Sequence, residues 1–134
     1  MEIQVIMRAL ALLATLGIND VPLALVEVVD KPHKSVSPGA VAYAFEDEIL
    51  RGEPKIYVVS SSAAYRYASR GDARVLAAAL GHERCHILQG SPPFYQGPCY
   101  EEELWILEAL GMKGTPPALW VRRSWELYKH DRPK

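Results

Sequence analysis

The chain has 134 residues, of which 49% are apolar, and its 15 Lys and Arg against 16 Asp and Glu leave a formal net charge of −1. A chain of this length buries about two thirds of the surface that its unfolded form exposes, so we expect one domain over residues 1–134 that needs no metal or disulfide to fold. The nearly neutral charge argues against nucleic-acid and membrane partners, because both require an excess of cationic side chains. Two cysteines are too few for a disulfide-stapled secreted scaffold, so we expect a cytoplasmic protein.

The hydrophobic pattern predicts an α+β fold in which a small mixed or antiparallel sheet packs on the N-terminal helix and on the helix over 72–89, followed by two further helices. The first helix has an apolar stripe at Ile6, Leu10 and Leu13. Its apolar run is too short to span a membrane, and it lacks the cationic flank of a signal peptide. Runs of β-branched residues between turn residues predict three strands. The predicted strands cover residues 23–29, 41–45 and 55–60, the later predicted helices cover residues 63–69, 72–89, 100–112 and 116–129, and residues 91–98 form a loop.

The helix predicted over 72–89 contains the sequence His82-Glu83-Arg84-Cys85-His86, which is an H-E-x-x-H motif. Residues four apart lie about 40° apart around a helix, so both imidazoles project from one face and can reach one ion. Glu83 lies beside His82, where its carboxylate can accept a proton from a water next to that ion. Both histidines continue the inward-facing stripes of the helix. The alternative is a pair of core histidines bonded to backbone carbonyls.

A catalytic zinc site needs a third protein ligand besides two histidines, with one position left for water. The next acidic residues beyond the motif are Glu101, Glu102 and Glu103, at the start of the following predicted helix. Glu103 precedes Leu107 by four residues and shares its buried stripe, whereas Glu102 lies on the adjoining edge and Glu101 on the outer flank. This facing argument favours Glu103 as the third metal ligand, with Glu102 as the second choice.

These features resemble the gluzincin branch of the zincin metallopeptidases, the thermolysin-like group, in a minimal single-domain version. The resemblance rests on the motif helix, the small sheet before it and the glutamate-bearing helix after it, and covers residues 23–112. It implies a zincin-like fold, a bound Zn²⁺ and a peptidase with Glu83 as general base. It also implies that Tyr95 donates to the developing oxyanion and that segment 55–60 is an edge strand that pairs with a peptide or protein substrate.

Two features depart from the thermolysin-like pattern. Arg84 stands where these peptidases usually carry an uncharged residue, and we expect it on the back of the helix, in contact with solvent or a carboxylate. No acidic residue follows Glu102 or Glu103 at a distance of four to support a histidine. The departures leave a second hypothesis open, namely a metal-binding scaffold without turnover or a protein-interaction module.

Cys85 lies inside the motif, and three roles for it remain open. Its thiolate could ligate the metal, or its side chain could pack as a small buried hydrophobe. It could also form a disulfide with Cys99. Such a bridge would clip the loop over residues 89–98 to the motif helix.

Overall fold

The computed structural model describes residues 2–134. Its helices are α1 (Glu2–Thr15), α2 (Glu46–Leu50), α3 (Ala63–Ser69), α4 (Arg74–Gln89), α5 (Gln96–Ala109) and α6 (Pro116–Tyr128). Its strands are β1 (Val26–Val29), β2 (Ala42–Tyr43) and β3 (Ile56–Val59), and a short 3₁₀ turn over Leu23–Leu25 precedes β1. The predicted α+β class is confirmed. Within residues 2–134, no helix is both long enough and apolar enough to cross a membrane.

The three strands form one mixed sheet in the order β1-β3-β2. β3 pairs in parallel with β1, where Val28 lies opposite Val58, and antiparallel with β2, where Tyr43 lies opposite Tyr57. Because β1 and β2 pair with opposite edges of β3, β3 is the central strand. The expectation that segment 55–60 is an edge strand is therefore wrong. The edge strand next to the motif helix is β2.

α4 carries the motif and runs through the core, with α1 and α5 packed against it. A Cβ atom on Gly81 would overlap the side chain of Ile106, so this glycine allows α4 and α5 to approach closely. α4 ends at Gln89, and the next residue, Gly90, caps it with a φ of 76° in the left-handed region. The first half of α4 is buried at Leu76, Ala77, Ala78, Ala79, Leu80 and Gly81.

The start of α5 and the presence of α2 are the main differences between the observed helices and the sequence prediction. α5 begins at Gln96, inside the segment predicted as a loop, and Pro98 is compatible with this start because the first-turn N–H groups have no partner within the helix. α2 occupies part of the polar stretch that the sequence analysis placed between strands. Its three acidic residues favour a helix N-terminus, because they face the positive end of the helix dipole.

A disulfide joins Cys85 on α4 to Cys99 on α5, with the two Cα atoms 5.3 Å apart. Of the three roles that the sequence leaves open for Cys85, the structure therefore shows the disulfide. Cys99 is fully buried between the helices. The bridge fixes the first turn of α5 against the motif helix.

Candidate metal centre

The two motif histidines project side by side from α4, with ring centroids 5.0 Å apart. Nε2 of His82 and Nε2 of His86 each lie 3.0 Å from the same atom, Oε1 of Gln96. His82 is buried and His86 is partly buried. The two Nε2 atoms therefore face one region, which lies next to Oε1 of Gln96 between α4 and the start of α5. We call this region the shared point.

The other ring nitrogen of each histidine has an acceptor of its own. Nδ1 of His82 lies 2.7 Å from Oε1 of Glu103, and Nδ1 of His86 lies 3.2 Å from Oε1 of Gln89. That Gln89 oxygen also accepts from the backbone N–H of Tyr95, which identifies it as an acceptor. In each neutral imidazole the proton is therefore on Nδ1, because only a donor satisfies these oxygens. The lone pairs of both Nε2 atoms then point at the shared point.

Burial works to lower the pKa of both imidazoles, but their neighbours differ. For His82 the hydrogen bond and charge of Glu103 outweigh burial, and the pKa lies above its ordinary value. For His86 burial and the nearby His82 together hold the pKa below its ordinary value. His86 is therefore the more readily available neutral donor near neutral pH.

The three consecutive glutamates of α5 point in three directions. Glu103 pairs with Nδ1 of His82, Glu102 lies 3.1 Å from Arg84, and Glu101 pairs with an arginine near the C-terminus. Glu103 is thus the glutamate of the three that faces the motif, in line with the helix-face argument. Its contact is with Nδ1, which faces away from the shared point. In this arrangement Glu103 orients a histidine, and neither of the other two glutamates reaches the shared point.

Arg84 lies on the outer side of α4, where it bridges two carboxylates as expected. Its guanidinium donates to Asp20, with one N–O distance of 3.0 Å, and to Glu102 at 3.1 Å. The hydrogen bond from Arg84 holds the pKa of the Asp20 carboxyl below its ordinary value. The charged group inside the motif is thus paired away from the histidines.

Glu83 lies in the cleft next to the end of edge strand β2. The backbone of Ala44, just beyond β2, favours the charged form of its carboxylate and so lowers its pKa. Burial raises the pKa of Glu83 to about 7, with His82 opposing this rise and Glu103 adding to it. A carboxyl group with such a pKa exchanges protons near neutral pH, as a general base must.

The cleft in front of the motif consists of two adjoining cavities of about 510 and 370 Å³, which share His82, Glu83 and Tyr100. The edge strand contributes Ala42 to both of them. α6 forms a wall of the larger cavity with Pro117, Trp120 and Val121. Space for a ligand therefore extends to both sides of the His82-Glu83 pair.

Tyr95, the predicted oxyanion donor, does not line these two cavities. It lines a separate pocket with Cys85 and Leu88, and its backbone carbonyl accepts from the side chain of Gln89. Tyr100 lines the cleft instead, with its ring edge-to-face with His82 at a centroid distance of 4.6 Å. Gln89, at the end of α4, binds both the N–H and the carbonyl of Tyr95, whereas Tyr100 lies on α5 three residues before Glu103.

Gln96 is the site residue that the sequence analysis missed. Its backbone N–H donates to Oδ2 of Asp131 at 2.9 Å, and the next N–H, from Gly97, donates to the backbone oxygen of Asp131 at 3.0 Å. A Cβ atom on Gly97 would lie 2.6 Å from the backbone oxygens of Asp131 and Tyr128. The C-terminal segment thus fixes the start of α5, and with it Gln96. The local signal is Pro98, which the first turn of a helix tolerates.

Among residues 2–134, no three His, Cys, Asp or Glu side chains are grouped so as to hold a metal ion. The donors at the shared point are two imidazole nitrogens and one amide oxygen, and such a set is compatible with a divalent cation. No family model, curated protein or solved structure matches the chain. The function of the site is therefore inferred from its own chemistry.

Proposed function

We propose that the protein is a zinc-dependent hydrolase of minimal zincin-like fold. Its substrate is a peptide, and the bond that it cleaves is a peptide bond. The observation that carries the proposal is the convergence of the two motif Nε2 atoms, each 3.0 Å from one oxygen, beside Glu83. The order of a small sheet, the motif helix and a glutamate-bearing helix supports the zincin-like assignment.

The donors fit a zinc ion, because both histidines are neutral at Nε2 when Nδ1 carries the proton. His82 and His86 would hold it through Nε2, together with an oxygen from α5. When bound in such a site, Zn²⁺ polarises a carbonyl group and lowers the pKa of a water to about 7.

Glu83 takes the proton of the attacking water and then passes it to the leaving amine. Its position beside His82 brings the carboxylate next to the reacting groups, and its pKa of about 7 suits both steps. The backbone of Ala44 favours the charged form of the carboxylate, whereas burial favours the neutral form. Glu83 is therefore able to gain and lose a proton near neutral pH.

The edge strand supports a peptide as the substrate. β2 pairs with β3 along one edge, and its residues also line the cleft in front of the motif. An extended peptide can add to an exposed strand edge through backbone hydrogen bonds. A peptide bound in this way would pass His82 and Glu83, with space on both sides of them for its side chains.

The experiment compares wild type with Glu83→Gln after loading with Zn²⁺. Each protein is incubated with a proteome-derived peptide mixture, and cleavage is read by mass spectrometry. We expect cleavage by wild type, and loss of cleavage with full zinc retention in Glu83→Gln, because an amide cannot accept the proton. Glu101→Gln is the matched control, since it makes the same change at an exposed position of α5.

Zinc-loaded wild type that leaves all peptides intact would contradict the hydrolase and favour the metal-binding scaffold. Equal cleavage by wild type and Glu83→Gln would exclude Glu83 as the base. Zinc bound to each variant is measured in the same samples, so a loss of activity is not confused with a loss of metal.

A further inference from the structure

We infer that Gln96 supplies the third protein ligand of the metal site through its amide oxygen, and that Glu103 positions His82 instead of binding the metal. The inference rests on the proposed function and concerns which residues complete its site. It differs from the sequence-based prediction, in which Glu103 was the ligand.

When both Nδ1 atoms donate, the three atoms around the shared point are suited to hold a cation. Both Nε2 atoms present lone pairs when the Nδ1 atoms donate to Glu103 and Gln89. An amide oxygen also carries only lone pairs, so Oε1 of Gln96 faces two further acceptors at 3.0 Å. In this tautomer the three acceptors attract a positive charge that lies between them. A divalent ion satisfies all three acceptors at once, whereas one proton satisfies a single pair.

The distances around Gln96 are compatible with a role as a ligand. Ligand atoms of a tetrahedral zinc site with bonds of about 2.0–2.1 Å lie roughly 3.3 Å from one another. The separation of 3.0 Å between Oε1 of Gln96 and each Nε2 is close to that value. Glu103 contacts Nδ1, and the two nitrogens of an imidazole point in widely different directions. One carboxylate oxygen cannot therefore accept from Nδ1 and also bind an ion at Nε2.

The backbone around Gln96 holds the side chain in place. The Asp131 carboxylate accepts from the Gln96 N–H, and the Cys85–Cys99 disulfide anchors the same helical turn to α4. The negative charge of Asp131 also offsets the positive end of the α5 dipole, which by itself disfavours a cation nearby. A ligand held by rigid neighbours loses little conformational freedom when the metal binds.

The charge of the ligand set affects how tightly the metal binds. Two neutral imidazoles and an amide contribute no negative charge, whereas a set that contains a glutamate contributes one. Replacing Gln96 by glutamate should therefore tighten metal binding if Gln96 is a ligand. The same replacement should have little effect on binding if Gln96 lies outside the ligand set.

The experiment titrates the full-length, metal-free protein with Co²⁺, read by visible absorption, and with Zn²⁺ in competition with a chromophoric chelator. The variants are Gln96→Leu, Gln96→Glu and Glu103→Gln, with Glu101→Gln as the control on an exposed part of α5. Thermal unfolding of each variant confirms that it is folded. None of these readouts depends on hydrolysis.

We expect Gln96→Leu to lower Zn²⁺ affinity about a hundredfold and to change the Co²⁺ spectrum, because one donor is lost. Gln96→Glu should bind Zn²⁺ more tightly than wild type. Glu103→Gln should lower the affinity about tenfold, as loss of a histidine partner typically does, with an unchanged Co²⁺ spectrum. Glu101→Gln should match wild type in both measurements.

Wild-type affinity in Gln96→Leu would overturn the inference, and a Co²⁺ spectrum altered only in Glu103→Gln would identify Glu103 as the ligand. If Gln96→Leu does not fold, Gln96→Glu decides the question, because affinity no higher than that of wild type contradicts the inference. Wild type that binds neither metal would contradict the proposed function itself.

Discussion

Oε1 of Glu103 lies 2.7 Å from Nδ1 of His82, and the two side chains are only 12% and 9% exposed. Such a short contact between a carboxylate and an imidazole fixes both the proton position and the ring orientation. Glu103 thereby gives His82 a carboxylate partner. No acidic residue four positions after Glu102 or Glu103 is present to take this role. The position of Glu103 on α5 therefore determines the direction in which Nε2 of His82 points.

Replacing Glu103 by leucine should destabilise the metal-free protein. The change leaves the buried Nδ1 donor of His82 without an acceptor, which costs about 1–3 kcal/mol. Urea unfolding of the metal-free protein measures this loss. Glu101→Leu removes an exposed ion pair and should change the free energy of unfolding by less than about 1 kcal/mol. Equal stabilities of Glu103→Leu and wild type would show that the contact does not hold His82.

The local features of the sequence predicted much of this arrangement. The bounds 63–69 of α3 agree with the prediction, because Ser62 caps the helix and its hydroxyl accepts from the Tyr65 N–H. The i,i+4 spacing correctly placed His82 and His86 on one face of a helix. Helix periodicity also identified Glu103 as the glutamate that faces the motif. Each of these results depends on residues within a few turns of one another.

The remaining features depend on contacts distant in sequence. β3 is central because β1 and β2 pair with its two edges, and the strand pattern alone does not reveal which strands are neighbours. Gln96 enters the site because Asp131, 35 residues later, binds the first N–H groups of α5. Tyr100, and not Tyr95, lines the cleft.

Reduction of the Cys85–Cys99 disulfide should lower both stability and metal affinity. The bridge closes a loop with a sequence separation of 14 residues. A loop of this length contributes about 3 kcal/mol of stability by restricting the unfolded chain. Metal affinity should fall as well, because Gln96 lies in the helical turn that Cys99 anchors. Urea unfolding and zinc titration with and without dithiothreitol measure the two effects.

The control for this prediction is the Cys85→Ala, Cys99→Ala double variant, which should respond to neither oxidation nor reduction. An unfolding midpoint of wild type that does not move with dithiothreitol would show that the bridge has no stabilising role.

The variant Gly97→Ala should destabilise the protein through its contact with the C-terminal segment. The new Cβ would lie 2.6 Å from two backbone oxygens, which cannot move as a flexible side chain can. Overpacking of this kind costs about 1–3 kcal/mol, and the displaced α5 N-terminus should also weaken zinc binding. Urea unfolding and zinc titration test both parts.

Gly39→Ala is the matched control for Gly97→Ala, because a Cβ at Gly39 would have no heavy atom within 4 Å. We expect its free energy of unfolding to stay within about 0.5 kcal/mol of wild type. A Gly97→Ala variant that is as stable as Gly39→Ala would contradict the close packing of the C-terminal segment against α5.

The metal content of the purified protein tests the central claim most directly. The protein is isolated without added metal, dialysed against Zn²⁺ and then against metal-free buffer, and analysed by inductively coupled plasma mass spectrometry. The convergence of two Nε2 atoms on one point predicts about one zinc ion per chain. The His82→Ala, His86→Ala double variant should retain none. Wild type that holds no more zinc than this double variant would contradict the metal site and the hydrolase that depends on it.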